Sequence, residues 1–506
     1  MSRPGFVLEV DDRTPQLLTM SGAQLRLDRL GVGTHVVYAA DAEESSDPVP
    51  LIDSALSAPQ GTAALLDQLH PDLKLTLVVV DTERPLPQPR FDPRRTLAEQ
   101  VLALAARAGV TDVEVVIANG LRKRWNSDDI TRVLGDRVAT SFLPDGLITS
   151  HDVTGADLVT VGEVDGVPVR LNRRVAQSDL AVVIGLRADN SDGCALSAGL
   201  TDVATINRIG GADGDPQLAV AVGRLVTSAV NTFALTAVLG QPLFDRTLRF
   251  TSKREWEWTA LDRLAFAVER QVVAGLPRRG AQIVRGALRA DYPVIDVLGG
   301  TYETVLTEAR DVWQAANAVE TPGPADVLVT SVWGAGVDES DPIGSPLDAA
   351  HHALVRQAGS HLGSPFVRED GVLIAMHPLR NRFSNRRQSA ASDFFAKVLT
   401  ATLDPQEIAA AHEAAAISDE WYLDLYRKHH GAHPLHVFHQ WYDIARAAAR
   451  LGDVIWVGGD RRSAAVLGHR SATTYADALE IASDRVGPHP SITVLRGAGL
   501  ALGDVR

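Results

Sequence analysis

The chain has 506 residues, 45% of them hydrophobic and 22% charged, and carries a formal charge of −14. That length exceeds one core and suits two or three domains, while the acidic balance excludes broad nucleic-acid binding. One cysteine, Cys194, excludes an intrachain disulfide framework and any cysteine-rich metal site. No apolar run has the length of a signal core or a membrane span, so a cytoplasmic protein without membrane contacts is expected.

Short apolar runs alternate with amphipathic stretches, the pattern of βαβ units. The predicted strands are 75–80, 113–118, 158–161, 180–185, 327–331, 372–376, 454–458 and 492–495. The predicted helices are 94–108, 217–235, 258–273, 302–318, 346–359, 390–402, 405–415, 434–451 and 473–486. The run Leu77–Val80 is continuously apolar, as in a parallel strand covered on both faces. It ends in Asp81, followed by Arg84, Pro85 and Pro87. Residues just past such a strand sit where α/β proteins bind ligands; an ordinary surface Asp–Arg pair is the competing reading. Gly275, Pro277 and Gly280 break the helical stretch between the two sets of strands. The expected organisation is an N-terminal α/β domain over 1–240, a helical insertion and junction over 241–290, and a C-terminal α/β domain over 291–506. The last strand is allowed to return to the first domain. The expected fold is α/β, with two Rossmann-like domains whose parallel-rich sheets surround an interdomain cleft.

The strand followed by Asp81-x-x-Arg84-Pro85-x-Pro87 resembles the N-terminal domain of the nickel-dependent lactate racemase family. Further landmarks follow in that family's order. Ile117-Ala118-Asn119-Gly120 stands where the family has an Ala-Thr-Gly turn, and His151-Asp152 resembles its His-Asn/Asp pair. The run from Val167 through Asn172-Arg173-Arg174-Val175-Ala176 to Asp179-Leu180 looks like its Asn-Arg-Arg-Val-Ala signature. Pro346-Leu347-Asp348 and Gln440-Trp441 resemble landmarks of its second domain. The resemblance covers most of the chain outside roughly 240–290. It implies racemisation or epimerisation of 2-hydroxy acids, with a lysine-tethered nickel-pincer nucleotide as hydride acceptor and two histidines moving the hydroxyl proton.

The chain departs from the family at the groups that chemistry needs. Arg122 stands at the first histidine's position, and arginine is no base near neutral pH. The loop expected to hold the second histidine and the tethering lysine has neither; by position the lysine falls near Cys194, which reads as a small buried thiol. The stretch 207–216, where a metal-ligand histidine belongs, has none. A Gln-x-x-Lys pair becomes Ala353 and Arg356, and Arg356 still suits a carboxylate. The nickel-pincer nucleotide is therefore not expected, no metal ligands are assigned, and the cofactor stays unknown.

Asp81, Arg84, Arg122, Asn172, Arg173, Asp348 and Arg356 are the candidate ligand-binding residues. His151, His352 and His377 are the candidate acid/base groups, with His352 one helical turn before Arg356. If they form one active site, these side chains converge on the interdomain cleft. Five histidines in eleven residues, His429, His430, His433, His436 and His439, read as the start of a helix rather than a metal site. The glycine-rich stretches fit no phosphate-binding motif and read as turns. The expected partner is a small anionic metabolite of the 2-hydroxy acid or sugar-acid type, acted on by a repurposed racemase-like enzyme. A non-catalytic binding protein on the same fold is the alternative, and an active nickel racemase the weaker one.

Overall fold

The computed structural model describes all residues except 1–2, 23, 44–46, 82–87, 190–194, 245–247, 276–288, 333–343, 384–385 and 498, and the side chains of 88 and 272–275. The chain opens with strand β1 (Phe6–Glu9), the hairpin of β2 (Leu17–Ser21) and β3 (Gln24–Asp28), and β4 (His35–Tyr38). A first sheet then forms from β5 (Lys74–Val80), β6 (Asp112–Ala118) and β7 (Ile148–Ser150). The hairpin β8 (Leu158–Val164) and β9 (Val167–Asn172) interrupts it. β10 (Leu180–Arg187), β11 (Thr232–Leu239) and β12 (Val294–Gly300) complete the sheet in the order β12-β11-β10-β5-β6-β7. All neighbours are parallel except β11 and β12.

The sheet is buried on both faces because its central strands are apolar on both faces over most of their length. Leu75, Leu77 and Val79 pack on one side with Leu97 and Val101 of helix α1 (Pro93–Arg107). Val78 and Val80 pack on the other with Val222 and Val226 of α2 (Leu218–Ala229) and with Val305 and Trp313 of α3 (Tyr302–Asn317).

Short strand β13 (Ala318–Thr321) is followed by β14 (Ala325–Ser331), β15 (His361–Gly363), β16 (Val367–Met376), β17 (Asp453–Val457), β18 (Arg470–Ala472), β19 (Ile492–Leu495) and β20 (Leu502–Val505). The second large sheet has the order β1-β4-β19-β14-β16-β17-β18 and is parallel except for the β1–β4 pair. β20 lies between β13 and β15 in a small parallel sheet. Its Leu502 joins the core of the first sheet, and its Val505 that of the second.

The sheets do not divide the chain at residue 240. β1 and β4 belong to the second sheet, because β4 finds its partner in β19, more than 450 residues on. β12, expected in the C-terminal domain, closes the first sheet instead. The predicted helix 217–235 ends at Ala229, and its apolar tail becomes β11. The described part of the insertion folds as a small unit. Phe244, Phe250, Trp258 and Phe266, the last on α4 (Ala260–Gly275), pack against Leu18, Met20 and Leu25 of the β2–β3 hairpin. Helices α5 (Pro346–His351) and α6 (Leu435–Ala448) cover the second sheet. Among the described residues no helix is long and apolar enough to cross a membrane.

Candidate functional site in the crevice between the sheets

The first sheet changes direction between β5 and β10. From β5 the chain moves outward to β6 and β7, then crosses back to β10 and β11. Doubly wound sheets bind ligands in the crevice at the carboxyl end of such a reversal. Here that crevice is walled by Asp81 after β5, the 119–124 loop after β6, and Asp189 after β10.

The β5 terminus is held from below. Asp92 caps α1 and pairs with Arg94, whose guanidinium is fully buried and also donates to the Val80 carbonyl at 2.5 Å. The Asp81 side chain is almost buried, and Arg122 reaches it from the neighbouring loop. Arg122 Nη1 donates to the Asp81 carbonyl at 3.0 Å, with Nε 3.6 Å from Oδ2. Asn119 Nδ2 donates to the Arg122 carbonyl at 3.2 Å. Gly120 makes this loop possible. Its φ is +51°, and a Cβ there would come within 2.3 Å of the Ala198 carbonyl oxygen. Gly120→Ala is expected to cost at least about 2 kcal/mol in urea unfolding; an unchanged midpoint would show that the loop tolerates the side chain.

The opposite wall comes from the second sheet. α5 starts with Pro346 and a capping box between Ser345 and Asp348, then passes into a π-helical turn, His352–Gln357. Such turns recur at functional sites. Arg356 crosses the crevice and ion-pairs with Asp189. Burial pushes its guanidinium down to about 10, so it stays charged at neutral pH. His352, on the same turn, is surrounded by protein yet keeps part of its surface open. It makes no side-chain hydrogen bond among the described residues, and burial, then neighbouring His351, pushes it down to about 4. α6 brings His436 into electrostatic reach of Arg122 and His351. Burial, then Arg122, pushes His436 down to about 3, and it too lacks a described side-chain partner. Two neutral imidazoles and two guanidiniums, drawn from both halves of the molecule, therefore share the crevice.

The other sequence candidates do other work. His151 is 1% exposed, with Nε2 2.9 Å from the Thr201 carbonyl and Nδ1 3.4 Å from the Asn172 amide nitrogen. These partners assign the Nε2–H tautomer and leave neither nitrogen for a ligand. Its own carbonyl accepts from Tyr426 Oη at 3.2 Å, so His151 is a joint between the two halves. Asn172 also caps the following helical turn at Val175. Arg173 lies on the surface, 3.6 Å from Asp157. Asp348 accepts from Gln440 Nε2 at 3.0 Å and so ties α5 to α6. His377 is fully buried at the end of β16, where Nδ1 accepts from the Leu379 amide at 3.1 Å. Of the three candidate histidines, only His352 shares an element with a crevice residue, Arg356. Arg84 and Cys194 lie outside the described residues. Asp189 and His436 carried no sequence signal that marked them as site residues.

A nickel-pincer nucleotide, implied by the resemblance, needs donors that these residues do not offer. Arg122 is committed to Asp81. Where the metal-ligand histidine belongs, Asn207 accepts from His439 Nε2 at 2.9 Å and donates to Glu413 at 3.1 Å. Among the described residues no three His, Cys, Asp or Glu side chains converge to hold a metal ion. At the described positions, Arg122 and Asn207, the donor set does not fit the group.

Residues 30–187 match the family model of the lactate racemase N-terminal domain. The fold is similar to that of the lactate racemase apoprotein from Thermoanaerobacterium thermosaccharolyticum, with a TM-score of 0.60 and 14% sequence identity over 96% of this chain and 99% of that one. A protein of Thermotoga maritima solved by structural genomics aligns with a TM-score of 0.47 and 13% identity, over 92% of this chain and 100% of that one. No curated protein matches the sequence.

Proposed function

Starting from residues 30–187 as a lactate racemase N-terminal domain, in a chain with the lactate racemase fold, we propose that the protein takes a small carboxylate-bearing metabolite in the crevice, of the 2-hydroxy acid or sugar-acid type, without nickel-pincer chemistry. One observation carries this reading: Arg122 and Arg356 reach the same crevice from the two halves of the molecule, Arg122 against Asp81 and Arg356 against Asp189. A substrate carboxylate that replaces Asp189 on Arg356 keeps the charge paired and gains a bidentate partner. Neutral His352 is then placed to accept a hydrogen bond from, or take a proton from, a hydroxyl beside that carboxylate.

A non-catalytic binding protein is the second reading. It is favoured by Arg122, a group that cannot act as a base where the family has a histidine. Calorimetric titration with lactate and with gluconate tests both. The wild type is expected to bind at least one of them, and Arg122→Ala and Arg356→Ala to weaken that binding at least tenfold. Equal binding by wild type and both variants would remove the crevice as the site. Conversion of one lactate enantiomer to the other, followed by chiral chromatography, would reject the non-catalytic reading.

A further inference from the structure

A second recess lies outside the carboxyl ends of β4 and β19, next to the point where the second sheet reverses direction, between β19 and β14. Most of its roughly 390 Å3 is open solvent at the mouth, and the enclosed part is only of water size. The insertion builds one wall, with Lys253 and Arg254, and the strand-end loops supply Tyr38, Asp41, Arg496 and Gly499. The packing is close: a Cβ on Gly499 would come within 2.5 Å of that of Ala39.

The cations of this wall are fixed in place. Glu255 is 5% exposed and accepts from the Leu18 amide at 2.9 Å, Tyr38 Oη at 2.8 Å and Arg496 Nε at 2.9 Å. Arg496 Nη2 donates to the Lys253 carbonyl at 2.8 Å, and the guanidinium lies over the Tyr38 ring at 5.0 Å. Its side chain is 9% exposed, and no described group accepts from Nη1. Arg254 stacks on Phe6 at 4.4 Å and is 16% exposed. Its nearest carboxylate, Asp41, is 3.7 Å away, beyond hydrogen-bond range, and is already held by Arg3 at 2.6 Å. Lys253 is satisfied by Asp262 at 2.8 Å, and Arg496 has its counter-charge in Glu255. That leaves Arg254 with no hydrogen-bond acceptor among the described residues, beside the unfilled Nη1 of Arg496. A mostly buried guanidinium without acceptors is costly unless something supplies them.

We propose that this recess binds a phosphate group, free or as the head of a small phosphomonoester, between Arg254 and Arg496. Arginine forks match phosphate oxygens bidentately, and fixed cations bind without reorganising. The insertion then has a role: it supplies Arg254 and, through Glu255, orients Arg496.

The test is calorimetric titration of the full chain with inorganic phosphate and, separately, glycerol phosphate, at constant ionic strength. Saturable binding by wild type, at least tenfold weaker in Arg254→Gln and unchanged in Arg122→Ala, is the expected result. Tighter binding of glycerol phosphate assigns the site to a monoester, and tighter binding of inorganic phosphate assigns it to the free ion. If Arg254→Gln does not fold, Arg254→Lys, which keeps the charge but loses the fork, carries the same comparison with a smaller expected loss. Failure of both anions to bind, or loss of binding in Arg122→Ala with retention in Arg254→Gln, would overturn the proposal.

Discussion

Acidification from pH 7 to pH 5 is expected to lower the unfolding free energy by about 4 kcal/mol from His151 and His433 alone. Both are 1% exposed, and burial pushes each down to about 4. In the unfolded chain each titrates near its ordinary value, about 6.5. The native protein must therefore keep them neutral while the unfolded chain takes up protons. Stability is complete above about pH 6.5 and falls as the pH drops towards 4. Below the native value, both states are protonated and the loss from that group stops. Each histidine contributes about 2 kcal/mol between pH 7 and pH 5. His436, His439, His352 and His469 are lowered in the same direction and by the same principal cause, so the full effect is larger. Several of these groups join the two halves: the His433 amide donates to the Leu121 carbonyl at 2.8 Å, and His439 meets Asn207. Urea midpoints measured between pH 7.5 and pH 5 read the effect directly. His433→Phe should flatten the pH dependence by one proton, since it removes a ring whose Nε2 has no described partner. A midpoint constant down to pH 5 would show that these rings are not held neutral.

Arg94→Ala is expected to destabilise the protein by about 3–5 kcal/mol, the cost of stranding one member of a buried ion pair. Asp92 would be left 6% exposed without its cation, and the Val80 carbonyl without its donor. The same substitution should loosen Asp81, one residue beyond Val80, and so weaken anion binding in the crevice. Arg94→Met combined with Asp92→Ser removes both charges and keeps a helix-capping hydroxyl. It should recover most of the stability, which a simple packing loss at residue 94 would not. A single variant as stable as wild type would mean that the buried pair contributes little.

The strands that form the middle of both sheets were legible because continuous apolar runs of this length leave few alternatives. β5, β6, β10, β14, β16, β17 and β19 lie where those runs lie. β11 was hidden for the same reason: after Ala229 its residues continue the apolar tail of a helix, and only the turn at Val230 and Asn231 separates them. The placement of β1 and β4 was not legible, since strand pairing over hundreds of residues leaves no local signature. The site shows the same split. Asp81, Arg122 and Arg356 stand at motif positions, so the sequence alone could name them as candidates. It could not name Asp189, because its meaning lies in Arg356, 167 residues away. His436 reads as one of five clustered histidines until the packing of α6 brings it towards Arg122. His151 and His377 follow the strand ends where ligand-facing residues occur, but their ring nitrogens hold backbone and amide groups instead.

We propose that the crevice keeps its arginines for an anion while the donors for the nickel-pincer nucleotide are lost. Intact mass of the purified protein, with nickel analysis of the same sample, tests it most directly when the protein is made in cells that synthesise that nucleotide. The expected result is the mass of the bare chain with no stoichiometric nickel. An added mass of nucleotide size, or one nickel per chain, would contradict the account.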